Sequence, residues 1–235
     1  MLFQFKQFSI EQDKCTMKVG TDGVLLGAWA DVEDAQTVLD IGTGTGVIAI
    51  MLAQRATDAT ITGVEIDQEA YEQAKENMNN SPFADRLIAE CSAIQDFAKL
   101  SRSTFDLIVS NPPFFSGGTF SANQDRLSVR HTVKLSHGDL LMAVQKLLTK
   151  TGKFCLILPY LEGLRFQEMA KNYHFFCTKV TEVRPKKDKA IERLLLQFER
   201  EEKKVLTNDI IIQHEERNDW TEDYKELTGA FYLKM

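Results

Sequence analysis

Asn111-Pro112-Pro113-Phe114 is the segment of this sequence whose residue types and order come nearest to specifying a reaction. Two adjacent prolines fix φ at successive positions, remove two N–H donors and hold the preceding asparagine extended. The product is a rigid ledge rich in acceptors. An exocyclic amine conjugated to a purine or to an amide is a poor nucleophile, because its lone pair is delocalised into the π system. The Asn111 side-chain carbonyl and the Pro112 backbone carbonyl can each accept one amine hydrogen, which favours a pyramidal nitrogen with its lone pair aimed at an electrophile. Phe114 adds a flat face for stacking a flipped-out base, while Phe115 beside it reads as a core phenylalanine. Asn111, Pro112, Pro113 and Phe114 are therefore the candidate catalytic residues.

The electrophile is indicated further upstream. Val38-Leu39-Asp40-Ile41-Gly42-Thr43-Gly44-Thr45-Gly46 joins an apolar strand to a helix through Gly42, Gly44 and Gly46, so the backbone can turn tightly and approach a ligand where a Cβ would collide. A tight turn alone would satisfy the same glycines. Their spacing, Gly-x-Gly-x-Gly instead of Gly-x-Gly-x-x-Gly, separates the loop from a dinucleotide fingerprint, and Asp40 just before it would repel a pyrophosphate but suits a ligand carrying an ammonium and a sulfonium. Glu65 ends the next strand, where an acid can accept both hydroxyls of a ribose while Ile66 packs on an adenine. Together these residues point to S-adenosylmethionine. The adenine amine would be met at the end of the third strand, in Glu90-Cys91-Ser92-Ala93-Ile94-Gln95-Asp96, where Ala93 stands at the position expected to be acidic. Backbone groups of Ser92 and Ala93, or the nearby Asp96, are the substitutes the sequence offers.

Elements that position these groups follow from periodicity. Short β-branched runs alternate with amphipathic stretches from Thr37 onward, which predicts a parallel sheet with helices between its strands. Strands are expected at Thr37 to Ile41, Thr60 to Ile66, Arg86 to Cys91, Phe105 to Ser110 and Phe154 to Leu158, and helices at Val47 to Arg55, Asp67 to Asn79, Ser136 to Leu148 and Tyr160 to Tyr173. Phe105 to Ser110 is apolar enough to lie at the sheet centre, and it delivers Asn111. Phe175 to Val183 and Ala190 to Arg200 read as an antiparallel hairpin at one sheet edge. Residues 1–36 form an N-terminal cap, with a strand over Phe3 to Gln12 and a helix from Asp22 to Ala30, ahead of a core spanning 37–235 in a single domain. A short helix between Thr221 and Met235 docks through Phe231, Tyr232 and Leu233.

With 235 residues, 43% of them hydrophobic, the chain can bury a substantial core. It shows neither a long apolar run nor a secretory layout, so a cytoplasmic protein without a membrane anchor is expected, with a monomer as the default. The four cysteines are scattered, with no CxxC pair, which predicts buried free thiols and no metal site. The net charge of −6 excludes a general nucleic-acid coat, but local clusters decide RNA binding. One cluster, Lys179, Arg184, Lys186, Lys187, Lys189 and Arg193, falls on the hairpin. Arg126, Arg130, His131 and Lys134 form another beyond Phe114. A charge run also fits a solvated turn. His131 and His137 read as structural or capping residues.

The motif series from Thr37 to Pro159 resembles the class I methyltransferases that carry an Asn-Pro-Pro-aromatic motif. Adding Lys18-Val19-Gly20-Thr21-Asp22-Gly23-Val24-Leu25-Leu26-Gly27 and Phe231-Tyr232-Leu233, the whole chain resembles more closely the tRNA(Val) adenine-N6 methyltransferases. The resemblance implies a Rossmann-like α/β fold, a seven-stranded, mostly parallel sheet with helices on both faces and an antiparallel edge hairpin. It implies methylation of the adenine just 3′ of the anticodon, with tRNA as partner and Gly20, Thr21 and Asp22 lining the methionine side of S-adenosylmethionine. Phe114 stands where many adenine-N6 enzymes carry tyrosine, and phenylalanine there also occurs in ribosomal-RNA guanine-N2 enzymes. Protein glutamine-N5 methyltransferases use the same ledge, but with an N-terminal helical domain for which little chain precedes the glycine loop. A noncatalytic module that binds S-adenosylmethionine or RNA is the alternative outside enzymes, and an intact Asn111-Pro112 argues against it.

Overall fold

A computed structural model describes residues 1–15, 17–113, 135–216 and 218–234. Its backbone follows the alternation read from the sequence. The first three core elements are β3 (Thr37–Ile41), α2 (Val47–Arg55) and β4 (Thr60–Glu65), preceded by β1 (Leu2–Gln4), β2 (Ser9–Glu11) and α1 (Thr21–Trp29). Then come α3 (Gln68–Asn79), β5 (Leu87–Cys91), α4 (Ile94–Leu100), β6 (Phe105–Ser110), α5 (His137–Leu147), β7 (Leu148–Pro159) and α6 (Tyr160–Lys171). The chain closes with β8 (Phe176–Arg184), β9 (Arg193–Glu199), β10 (Leu206–Ile211) and α7 (Glu222–Thr228).

Local chemistry explains several boundaries. Asp67 caps α3 by accepting from the Ala70 amide at 2.9 Å, and Ser136 caps α5 by accepting from the Asp139 amide at 3.0 Å. Thr221 caps α7 through the Tyr224 amide. The expected N-terminal strand is instead two short strands paired antiparallel, because the chain reverses where the Phe5 amide donates to the Phe8 carbonyl.

Among the described residues the main sheet has eight strands in the order β10-β8-β9-β7-β6-β3-β4-β5. Only β9 runs against the others, pairing antiparallel with both β7 and β8. Two expectations are corrected here. The sheet has eight strands, not seven, and the β8–β9 hairpin is not at its edge, because β10 pairs parallel to the outer side of β8. Sequence periodicity misses β10 because its first four residues are exposed and three of its residues are Thr, Asn and Asp. β7 also begins earlier than expected, at Leu148, with an irregular register against β6 between Phe105 and Leu107.

Side-chain alternation divides the core into two layers. Val38, Leu107, Val109 and Ile157 face a cluster built from α1, α2 and α3, with Tyr224 of α7. Leu39, Ile41, Ile108 and Leu156 face the other cluster, built from α4, α5 and α6. α1 is sandwiched closely enough that every residue from Gly23 to Trp29 is buried. The C-terminal segment docks through Phe231, which is buried, and through Tyr232, which bridges to Phe5. Leu233 is exposed and takes no part.

Candidate active site

Chain order leaves β3 in one direction towards β4 and β5 and returns on its other side through β6 and β7, so the switch point lies between β3 and β6. Ligands of open α/β sheets bind at such a point, outside the carboxyl ends of the strands. The glycine loop follows β3 and Asn111 follows β6. Ser110 fastens the two strand ends together, its hydroxyl donating to the Ile41 carbonyl at 2.9 Å.

Gly42, Gly44 and Gly46 have φ of 73°, 54° and 82°, the left-handed region where a side chain is strained. At Gly46 a Cβ would also press within 3.4 Å of the Ala74 backbone, so this glycine lets α2 start against α3. Asp40 lies beneath the loop with no solvent exposure, and its Oδ2 accepts from the Thr43 hydroxyl at 2.6 Å. Burial pushes its pKa up to about 7. This places Asp40 under the loop and off the cavity wall, where it braces Thr43 instead of reaching a ligand directly.

Glu65 is pinned at the end of β4. Its Oε2 accepts from the Gly44 amide at 2.9 Å, and its Oε1 accepts from the Ile66 and Asp67 amides at 2.9 and 3.0 Å. A carboxylate held by three backbone donors is preorganised, and the Gly44 contact ties it to the glycine loop. Ile66 beside it is 48% exposed, an apolar side chain left without a partner on the rim of a cavity.

That cavity, of about 300 Å³, is lined by Glu65, Ile66, Ser92, Gln95, Asn111 and Pro112, among others. Ser92 is fixed by its amide donating to the Glu65 carbonyl at 2.9 Å. Ala93 serves as the N-cap residue of α4 and is not on the wall, and Asp96 turns outward to Lys99 at 2.9 Å. Gln95, which the sequence did not single out, lines the cavity here instead. A second cavity of about 470 Å³ adjoins it and is lined by Lys18, Gly20, Thr21, Asp22, Thr43 and Arg193, among others. Met17, Gly42, Gly44 and Asn111 line both.

Asn111 therefore stands where the two lobes meet. Its Oδ1 is buried, and among the described residues no donor reaches it. A buried acceptor left alone is costly, so this atom is shaped for a donor that arrives with a ligand. Pro112 is buried and Pro113 exposed. Phe114, Phe115, Arg126, Arg130, His131 and Lys134 lie outside the described residues.

The chain from residue 18 to 159 matches the model of the methyltransferase small domain. A tRNA1(Val) (adenine(37)-N6)-methyltransferase of Histophilus somni (strain 2336) is 46% identical over 99% of this chain and 98% of its own length. This chain belongs to that methyltransferase family. A namesake from Trichodesmium erythraeum (strain IMS101) is 43% identical over 99% of this chain and 98% of its own length. At the level of fold alone, a structure from Agrobacterium tumefaciens described as a predicted O-methyltransferase superposes with a TM-score of 0.71. It is 18% identical and covers 89% of this chain and 96% of its own.

As a member of this family the protein is an S-adenosylmethionine-dependent enzyme, and its residues fit that group. The smaller lobe offers an apolar ledge at Ile66 and an oriented carboxylate at Glu65 for an adenosine. The larger offers charged groups for a methionine, and the glycine cradle and the lone Asn111 acceptor lie between them. Family membership does not make every basic residue of the hairpin a surface contact. Lys179 packs its ammonium over the Trp29 ring at 4.6 Å, on the strand and away from the β8–β9 turn, and Arg184 pairs with Glu182 at 3.1 Å. Lys186 donates to the Glu215 carbonyl, while Lys187 and Lys189 are exposed. Arg193 turns inward to Asp22. His137 lies 3.0 Å from Glu162, with its ring edge-on to Phe166, and joins the starts of α5 and α6. The cysteines are not uniformly buried, because Cys91 is exposed. Among the described residues there is no group of three or more potential metal ligands, and no helix is long and apolar enough to cross a membrane.

Proposed function

We propose that this enzyme methylates N6 of the adenine just 3′ of the anticodon in a valine tRNA, the position carried in the relatives' name as adenine 37. The lone Asn111 Oδ1 at the junction of the lobes carries the chemical part of this reading. Asn111 Oδ1 and the Pro112 carbonyl each take one hydrogen of the amine, which draws its lone pair out of the ring and aims it along the lobe boundary. When bound, S-adenosylmethionine supplies a methyl group on a sulfonium that departs as a neutral thioether. The ledge holds the nitrogen in line, and the proton displaced from it passes to water, so catalysis rests on positioning and fixed dipoles. Phe114 stacks on the extruded base.

The tRNA part is supported by the relatives' names and by where positive charge stays at the surface, although Lys189 also lies 3.4 Å from Asp188. The β8–β9 turn carries Lys186, Lys187 and Lys189, and its flanks, Pro185 and Arg193, wall the larger lobe. A polyanion approaching Asn111 from that side meets these lysines first.

Transfer of labelled methyl to unmodified total tRNA, followed by nucleoside analysis, tests the proposal. Wild type is expected to yield N6-methyladenosine, and Asn111→Ala to lower kcat by about 10²- to 10³-fold, as for loss of one preorganised polar contact. Equal N6-methyladenosine from both proteins would refute the role of Asn111. N2-methylguanosine, or methyl groups on protein glutamine, would move the substrate to those classes.

A further inference from the structure

A loop with three glycines at positive φ can take more than one shape, so contacts from outside it decide which one it keeps. The Gly42 and Thr43 amides donate to the Val64 carbonyl, the Gly44 amide to Glu65, and the Gly46 amide to the Thr43 carbonyl. The Thr45 carbonyl, between two of the glycines, accepts from Asn77 Nδ2 at 2.8 Å. Asn77 belongs to α3, is 3% exposed and lines neither cavity.

The same side chain reaches a second element. Its Nδ2 also donates to the Glu11 carbonyl at 2.8 Å, and its Oδ1 accepts from the Glu11 amide at 2.9 Å. Asn77 thus pairs both backbone groups of Glu11 as a residue of a neighbouring strand would, and spends its remaining hydrogen on the glycine loop. Glu11 ends β2, whose hairpin is fixed from its far side: β1 pairs with β2, and the Lys6 amide between them donates to the Phe231 carbonyl at 2.8 Å. Without the Asn77 amide, the Thr45 carbonyl and both groups of Glu11 would lose a partner. Rotation of the Thr45–Gly46 peptide, or withdrawal of the hairpin, would relieve that cost.

We infer that Asn77 is a positioning residue for cofactor binding, which pins the Thr45–Gly46 peptide to the N-terminal hairpin so that loop and hairpin are set as one unit before S-adenosylmethionine arrives. The cofactor then meets a loop already in shape and loses less in ordering it. Because Asn77 acts through the loop, its removal falls on cofactor affinity and spares methyl transfer and tRNA binding. The inference rests on S-adenosylmethionine lying against the glycine loop, and it is independent of the identity of the RNA.

Calorimetry with S-adenosylhomocysteine tests it by comparing Asn77→Ala with Arg86→Met. Arg86 also makes three hydrogen bonds to backbone, to the carbonyls of Ala53, Ala56 and Ala59 at the end of α2 away from the loop. Both variants are expected to lower Tm, but only Asn77→Ala to weaken S-adenosylhomocysteine, by about 3- to 30-fold, the range for a residue that acts on a site without touching its ligand. KM for S-adenosylmethionine should rise in proportion, with kcat and KM for tRNA within about twofold of wild type. Asn77→Ser, whose hydroxyl keeps one donor, should lose less and serves if the alanine variant does not fold. Equal weakening by Arg86→Met, or a lower kcat at saturating cofactor with KM unchanged, would make Asn77 merely structural and overturn the inference. Gly44→Val, in the loop itself, checks the site: weaker binding there with none in Asn77→Ala overturns the role of Asn77 alone, and unchanged binding in both overturns the placement of the cofactor with it.

Discussion

Asp40 and Glu65 are both acids at strand ends beside the glycine loop, and their surroundings separate their tasks. Glu65 is partly buried, lines the cavity and is held by backbone amides, whereas Asp40 is enclosed beneath Thr43. Burial, with the Glu65 charge adding to it and the Thr43 hydrogen bond opposing it, pushes the Asp40 pKa up to about 7 from an ordinary value of 3.8. Between those values the folded chain holds a proton that the unfolded chain has lost, so stability falls as pH rises and levels off above about 7. The slope from one such group is about 1.4 kcal/mol per pH unit. Asp40→Asn removes the ionisation and should flatten this part of the profile, measured as urea unfolding free energies at pH 5, 6 and 7. A wild-type-like slope in the variant would show that Asp40 is ionised in the folded protein throughout.

At the scale of elements, the glycine loop depends on a glycine outside it. Gly63 lies in β4 beside the loop, and a Cβ there would come within 2.8 Å of Thr43 Oγ1, 3.0 Å of Thr43 Cβ and 2.9 Å of Met78 Cε. The methionine end can move aside, but Thr43 is tied to Asp40 and has little room. Gly63→Ala is therefore expected to cost about 1–3 kcal/mol of stability through overpacking. It should also weaken S-adenosylhomocysteine, because displacement of Thr43 is passed to Gly42 and Gly44. Denaturant unfolding and calorimetry on the same preparation check both effects, and a variant equal to wild type in both would mean that the loop yields freely. The addition of β10 outside β8 acts on the same scale. Backbone from Ile212 and Gln213 donates to Arg184 and Pro185, which supports the base of the basic turn.

At the scale of the whole molecule, a net charge of −6 makes the location of positive charge decisive for a polyanion. The fold occupies Lys179, Arg184 and Arg193 within itself and leaves the turn lysines near the cavity mouth. Reversing both Lys186 and Lys187 to Glu should weaken tRNA binding and reduce its dependence on salt, because fewer counterions are released, while S-adenosylhomocysteine affinity is unchanged. Filter binding at several salt concentrations measures this. Unaltered tRNA affinity would remove the turn from the interface.

Much of this protein was legible in its sequence because the signals were local. The strand-loop-helix order around Gly42 to Gly46, the cap at Asp67, the acid at Glu65 and the position of Asn111 after an apolar strand each depend on neighbours a few residues away, and periodicity carries such information. Other features depend on distant segments. β10 has too few buried positions to show a period, and its place is set by pairing with β8. Gln95, in the first turn of α4, lines the cavity where the N-cap residue Ala93 does not, and that depends on how α4 packs against the strand ends. Asp40 carries the same charge in any fold, but only enclosure by α2 and the loop takes it out of reach of a ligand. Arg193 looked like one of a row of surface cations. The reversal of β9 places it against Asp22, and that contact, made between residues at opposite ends of the chain, is one that no sequence pattern encodes.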